Sequence, residues 1–84
     1  MSVGTLYVYD EIINFLTSQP SVEEIVEFKL SSAGKLRIRQ LVEKQRRGII
    51  HESEQVELDE FIRVEGFLRK LKVRAQRRLN TLYM

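Results

Sequence analysis

The feature that most restricts this chain is a stretch of about 28 residues, 53 to 80, with no proline and with apolar side chains recurring at three- and four-residue steps. Wound at about 100° per residue, Phe61, Val64, Leu68, Leu71, Ala75, Leu79 and Leu82 fall on one arc. The expected element is a single helix of some 25 residues, about 40 Å long at about 1.5 Å per residue. A stripe of this kind is ordinarily core or a helix–helix contact, so Phe61, Val64, Leu68, Leu71, Ala75 and Leu79 form the candidate packing seam. With 84 residues the core is small, and with no cysteine a disulfide cannot reinforce it. Part of the seam is therefore expected to serve as a homodimer contact.

The same stretch carries most of the positive charge. Residues 1–28 hold five acids and no Lys or Arg, residues 29–62 are nearly balanced, and residues 63–84 hold seven cations against Glu65 alone. The chain is thus a dipole along its sequence although its formal net charge is only +2. Winding separates the cations from the seam: Arg63, Lys70, Arg74, Arg77 and Arg78 share a different arc, with Phe67 inside it. The ordinary reading of such a face is a solvated surface, or one covered by the acidic N-terminal third. The functional reading is a site for an acidic partner, either a protein or nucleic acid phosphates. Arg69, Lys72 and Glu65 border the seam instead, and Glu65 and Arg69 are spaced as an i,i+4 pair.

Ahead of this stretch the punctuation is that of short helices. "TLYVY" at 5–9 reads as a short strand or an extended arm. Ile12, Ile13, Phe15 and Leu16 then have helical spacing over about 10–18, and Pro20 ends the run by pushing its predecessor out of the helical region. Ser21 is placed to cap a second helix with Glu23 and Glu24 in its first turn and Ile25 and Phe28 on the buried side. A third begins behind Ser31 or Ser32, with Leu36, Ile38, Leu41, Val42 and Gln45 on one side, and closes at Gly48 in a left-handed cap. The short "IIHES" connection predicts an antiparallel hairpin between this helix and the long one. The fold class expected is all-α, in a single helical domain over 1–84.

Several chemistries lack their residues. With no Cys and only His51, a zinc site or a Ser-His-acid triad has no convergent set of groups, and His51 falls in a turn suited to capping or solvent exposure. The Gly-rich phosphate loops are missing. Glu27, Phe28, Lys29 forms the acid-x-Lys triplet of metal-dependent nucleases, but here it ends an acidic helix with no sheet beside it. No catalytic residue, metal or cofactor is therefore expected. The N-terminus has no basic leader and no long apolar stretch, and no window has the ~18 apolar residues of a membrane span, so a soluble cytoplasmic protein is expected. Sequence-specific DNA readout is not expected either, because "TLYVY" offers no base-reading side chain and the last helix opens with acids.

Residues 20–79 resemble a group of short, largely uncharacterised cyanobacterial helical proteins. The resemblance rests on Pro20, Ile25, Phe28 and Ser31, followed by "LVEKQRRGIIHESEQVELDEFIRVEGFLRKLKVRAQRRL". Such proteins look like antitoxin-type partners of toxin-type nucleases, and a protein-interaction role with a nuclease partner is what the resemblance implies. This chain departs from the pattern in "IIHES", which lacks a Thr-Pro helix start, and at Gly66, where a bulkier residue is usual. The resulting expectation is a small helical protein-interaction module. The alternative is a nucleic-acid binder that uses the basic face without sequence preference.

Overall fold

The structure, a computed structural model, describes residues 7–82. It is all-α: α1 (Val8–Thr17), α2 (Val22–Glu27), α3 (Ser32–Arg46) and α4 (Glu52–Leu82) follow one another, with no strand among the described residues. Of the stretch expected as an arm, Thr5 and Leu6 lie outside the described residues, while Val8 and Tyr9 are the first turn of α1. The correction has a local cause. Asp10 folds back to accept the Tyr7 N–H at 3.1 Å, satisfying an amide that a helix start leaves unpaired.

The other boundaries follow their caps. Ser21 accepts the Glu24 N–H at 3.1 Å and Glu24 accepts the Ser21 N–H at 2.8 Å, a reciprocal capping box. Ser31, not Ser32, caps α3 by accepting the Gly34 N–H at 3.0 Å. At the far end Gly48 has φ 71°, and the Ile49 and Gly48 amides donate to the Lys44 and Gln45 carbonyls. That is the paired-bond termination in which a left-handed glycine is the favoured residue. A capping bond like those of Asp10 and Glu24 fixes the start of α4, where the His51 N–H donates to the Glu54 carboxylate at 3.0 Å. With that turn recruited, α4 has 31 residues, longer than the seam alone predicts.

Helix α4 is the spine, and α1, α2 and α3 all pack against it. Val8, Ile12, Phe61 and Leu68 form the central cluster, with Tyr9, Leu16, Phe28, Leu30, Ile38 and Val64 around it. Phe15 and Phe28 meet at 4.5 Å between ring centroids, joining α1 to the end of α2. The seam is thus a packing seam, with Phe61, Leu68 and Ala75 buried and Val64, Leu71 and Leu79 half-buried. Its cover comes from the chain's own helices. The buried part of the seam, Phe61, Leu68 and Ala75, is not open to a second copy.

α3 and α4 run antiparallel: Arg37 meets Glu57 near one end, and Lys44 meets Glu54 near the turn. The buried side of α3 is Gly34, Ile38 and Leu41, rotated from the expected one, and Leu36 and Val42 are exposed. Glu11 ties α1 to the start of α3 by accepting both the Ser31 N–H at 3.0 Å and its hydroxyl at 2.7 Å. Gly34 makes room for that carboxylate, since a Cβ there would sit 2.6 Å from Glu11 Oε2.

The Lys44–Glu54 contact sets an acid limit on stability. The Lys44 ammonium, then the His51 amide, hold the Glu54 carboxyl below its ordinary value of about 4.5. A folded value below the unfolded one gives stabilisation that is complete above the unfolded value and disappears as pH falls through the folded one. In acid titrations followed by circular dichroism, Glu54→Gln should flatten the loss of stability below about pH 4.5 relative to the parent chain. An unchanged acid limb would mean that the contact contributes nothing.

Candidate partner-binding surface

The expected basic face is present on α4. Arg63, Lys70, Arg74, Arg77 and Arg78 are all exposed. Arg63 is paired with Glu60 at 2.7 Å, whereas no carboxylate of the described residues lies within salt-bridge distance of Lys70, Arg74, Arg77 or Arg78. Lys72 points elsewhere: its ammonium donates to the Phe28 carbonyl at 2.6 Å and completes the C-terminal end of α2. Arg69 pairs with Glu65 as its spacing predicts, and that hydrogen bond raises the guanidinium's already high pKa.

The acidic N-terminal third does not cover this face. Asp10, Glu11 and Glu24 are occupied with the amides of Tyr7, Ser31 and Ser21. Glu23 and Glu27 are exposed on α2 and make no ion pair with the described cations. Four cations on one side of a helix therefore keep their full field toward solvent, which is what a site for an anionic group requires.

Beside the cations lies an apolar groove. Ile13, Leu16 and Thr17 of α1 and Arg63, Val64 and Phe67 of α4 enclose a shallow space of about 390 Å³. Phe67 is 57% exposed and Ile13 39%, so two large apolar side chains face water on opposite walls. Phe67 was legible in the sequence, but Ile13 and Leu16 were not assigned to a site. The available signal is that α1 carries Val8, Ile12, Ile13, Phe15 and Leu16, more apolar positions than one contact with α4 can hide. Val8 and Ile12 are buried, and Ile13 is left facing water.

His51 and the acid-x-Lys triplet do not come together. His51 is exposed at the start of α4, and Glu27 and Lys29 are exposed on either side of the α2 terminus. Among the described residues no three His, Asp or Glu side chains gather at metal-binding range, and no helix is long and apolar enough to cross a membrane. Comparison with known proteins gives no match to a family model, to a curated protein or to a solved structure.

Proposed function

We propose that the chain is a small helical protein-interaction module that seats an apolar helix edge of a partner protein in the groove between α1 and α4. The observation that carries this reading is the exposure of Phe67 opposite Ile13 across an apolar groove. An apolar groove with exposed aromatic and aliphatic walls and a charged rim is the kind of surface that marks a protein contact. Phe67 supplies an anchor for a pocketed contact, and Lys70 and Arg74, three and seven residues further along, supply charge that an acidic flank would meet. The resemblance to antitoxin-type proteins points to the same class of function and implies a toxin-type nuclease as the partner. Such a partner's own substrate surface would be cationic. Capture would then rest on the apolar groove, with Lys70 and Arg74 meeting an acidic flank outside that substrate surface.

The test uses the full chain, immobilised, with the captured partner identified and then purified. Phe67→Ala should weaken the measured affinity at least tenfold, the ordinary cost of removing a central aromatic anchor, about 1.4 kcal/mol or more. An affinity that is unchanged by Phe67→Ala and by Ile13→Asp would contradict the groove. The second reading, nucleic-acid binding without sequence preference, is favoured by the four cations that lack a carboxylate. A phosphate grip through them should show a slope of log affinity against log salt of about −4. Absence of binding to mixed-sequence DNA and RNA at low salt eliminates that reading.

A further inference from the structure

On the other flank of α4, away from Phe67, a second exposed surface has a pattern of its own. Ile62 is 56% exposed and Val73 is 50% exposed, although both are β-branched and sit within a well-formed helix. Eleven residues separate them, close to three full turns, so they lie on one line along the helix about 16 Å apart. Gly66 stands between them on the same side, where a Cβ would meet nothing within 4 Å. Asp59 and Arg77, the latter taken from the edge of the basic stripe, bracket the line, and neither has an ion-pair partner among the described residues.

These residues are symmetric about the middle of the helix. We infer that this face is an antiparallel homodimer contact, its two-fold axis passing between Phe67 and Leu68, where Ile62 of one protomer packs on Val73 of its partner and the reverse. A closed two-fold contact requires a surface that complements itself after reversal of direction. Reversal here places Ile62 against Val73, Asp59 within reach of Arg77, and Gly66 beside Arg69, so apolar meets apolar, acid meets cation, and the missing side chain of Gly66 leaves room for Arg69, whose charge Glu65 of its own helix already meets. The axis also falls within a residue of the midpoint of Glu52–Leu82, so the two helices overlap along their whole length. A parallel arrangement would set Asp59 beside Asp59 and Arg77 beside Arg77. The buried seam is not required, which is consistent with its being filled by α1 and α2. Phe67 lies about a third of a turn round the helix from this line. Each protomer thus keeps its groove open, and the dimer presents two copies of it.

Solution mass by light scattering, with circular dichroism to confirm that each variant is folded, tests the contact. The parent chain should have twice the 9.9 kDa of one copy. Asp59→Arg alone and Arg77→Asp alone should each shift the mass toward the monomer, and the two together in one chain should restore the dimer. Ile62→Glu should give a helical monomer, because its side chain is half in solvent and the fold does not depend on it. A parent chain that stays monomeric at the highest concentrations reached overturns the inference. So does a dimer whose mass is indifferent to all four variants, or single charge reversals that the double reversal does not rescue.

Discussion

Replacing Ile12 by alanine should remove about 3 kcal/mol of stability, the usual range for a large aliphatic side chain lost from a core being about 2–5 kcal/mol. Ile12 is 0% exposed and lies in the central cluster with Val8, Phe61 and Leu68. The consequence is larger than in a bigger protein. A domain of this length has a total stability of about 4–12 kcal/mol, so one side chain holds a quarter or more of it. Among the described residues only Ile12, Leu41 and Leu58 are large and fully buried, so few neighbours can move to fill the space. At about 4–8 °C per kcal/mol, the thermal midpoint should fall by about 12–24 °C. Exposed Ile13 on the same helix is the control, and Ile13→Ala should cost less than about 1 kcal/mol. Equal losses at the two positions would show that α1 does not dock on α4 through the Ile12 side.

The second large effect concerns Arg37 and Glu57. Glu57 is 6% exposed, the one buried charged side chain of the described residues, and Arg37 reaches it with two donors at 2.9 and 3.4 Å. The Glu57 hydrogen bond raises the Arg37 pKa further, so the guanidinium is charged at any pH at which the fold exists. Removing one partner leaves the other buried without compensation, which costs about 3–5 kcal/mol for a fully desolvated pair. The Arg37 side chain is 37% exposed, so solvent screens part of this and about 2 kcal/mol is expected for Arg37→Met. Arg37→Met with Glu57→Leu should recover most of that loss, because well-packed apolar replacements of a buried pair are often neutral. Urea unfolding of the two single variants and the double gives the coupling directly. If the double variant is as unstable as the sum of the singles, the two groups do not act as a pair.

Much of the architecture was legible because it is written in local chemistry. Ser21, Pro20 and Gly48 act within four residues of themselves, and each produces the boundary that its type predicts. The seam on α4 was legible because a helix repeats and a long one repeats many times. Where the answer depends on a partner far along the chain, the sequence was silent. Glu57 reads as one of several acids favoured at a helix start. Only its phase with Phe61 and Leu68 hints that it turns inward, and nothing local announces Arg37 twenty residues earlier. Leu36 and Val42 look like core until α3 is seen to meet α4 through Ile38 and Leu41. The groove is of the same kind: Phe67 was visible as an aromatic among cations, but its opposite wall comes from α1, some fifty residues away.

The central claim is that this module engages a protein through the groove and not phosphates through the stripe, and amide chemical-shift mapping with the purified partner tests it most directly. The account predicts that Ile13, Leu16, Val64 and Phe67 are the most perturbed positions, and that mixed-sequence DNA does not reproduce the pattern. Shifts confined to Lys70, Arg74, Arg77 and Arg78, and reproduced by DNA alone, would contradict it.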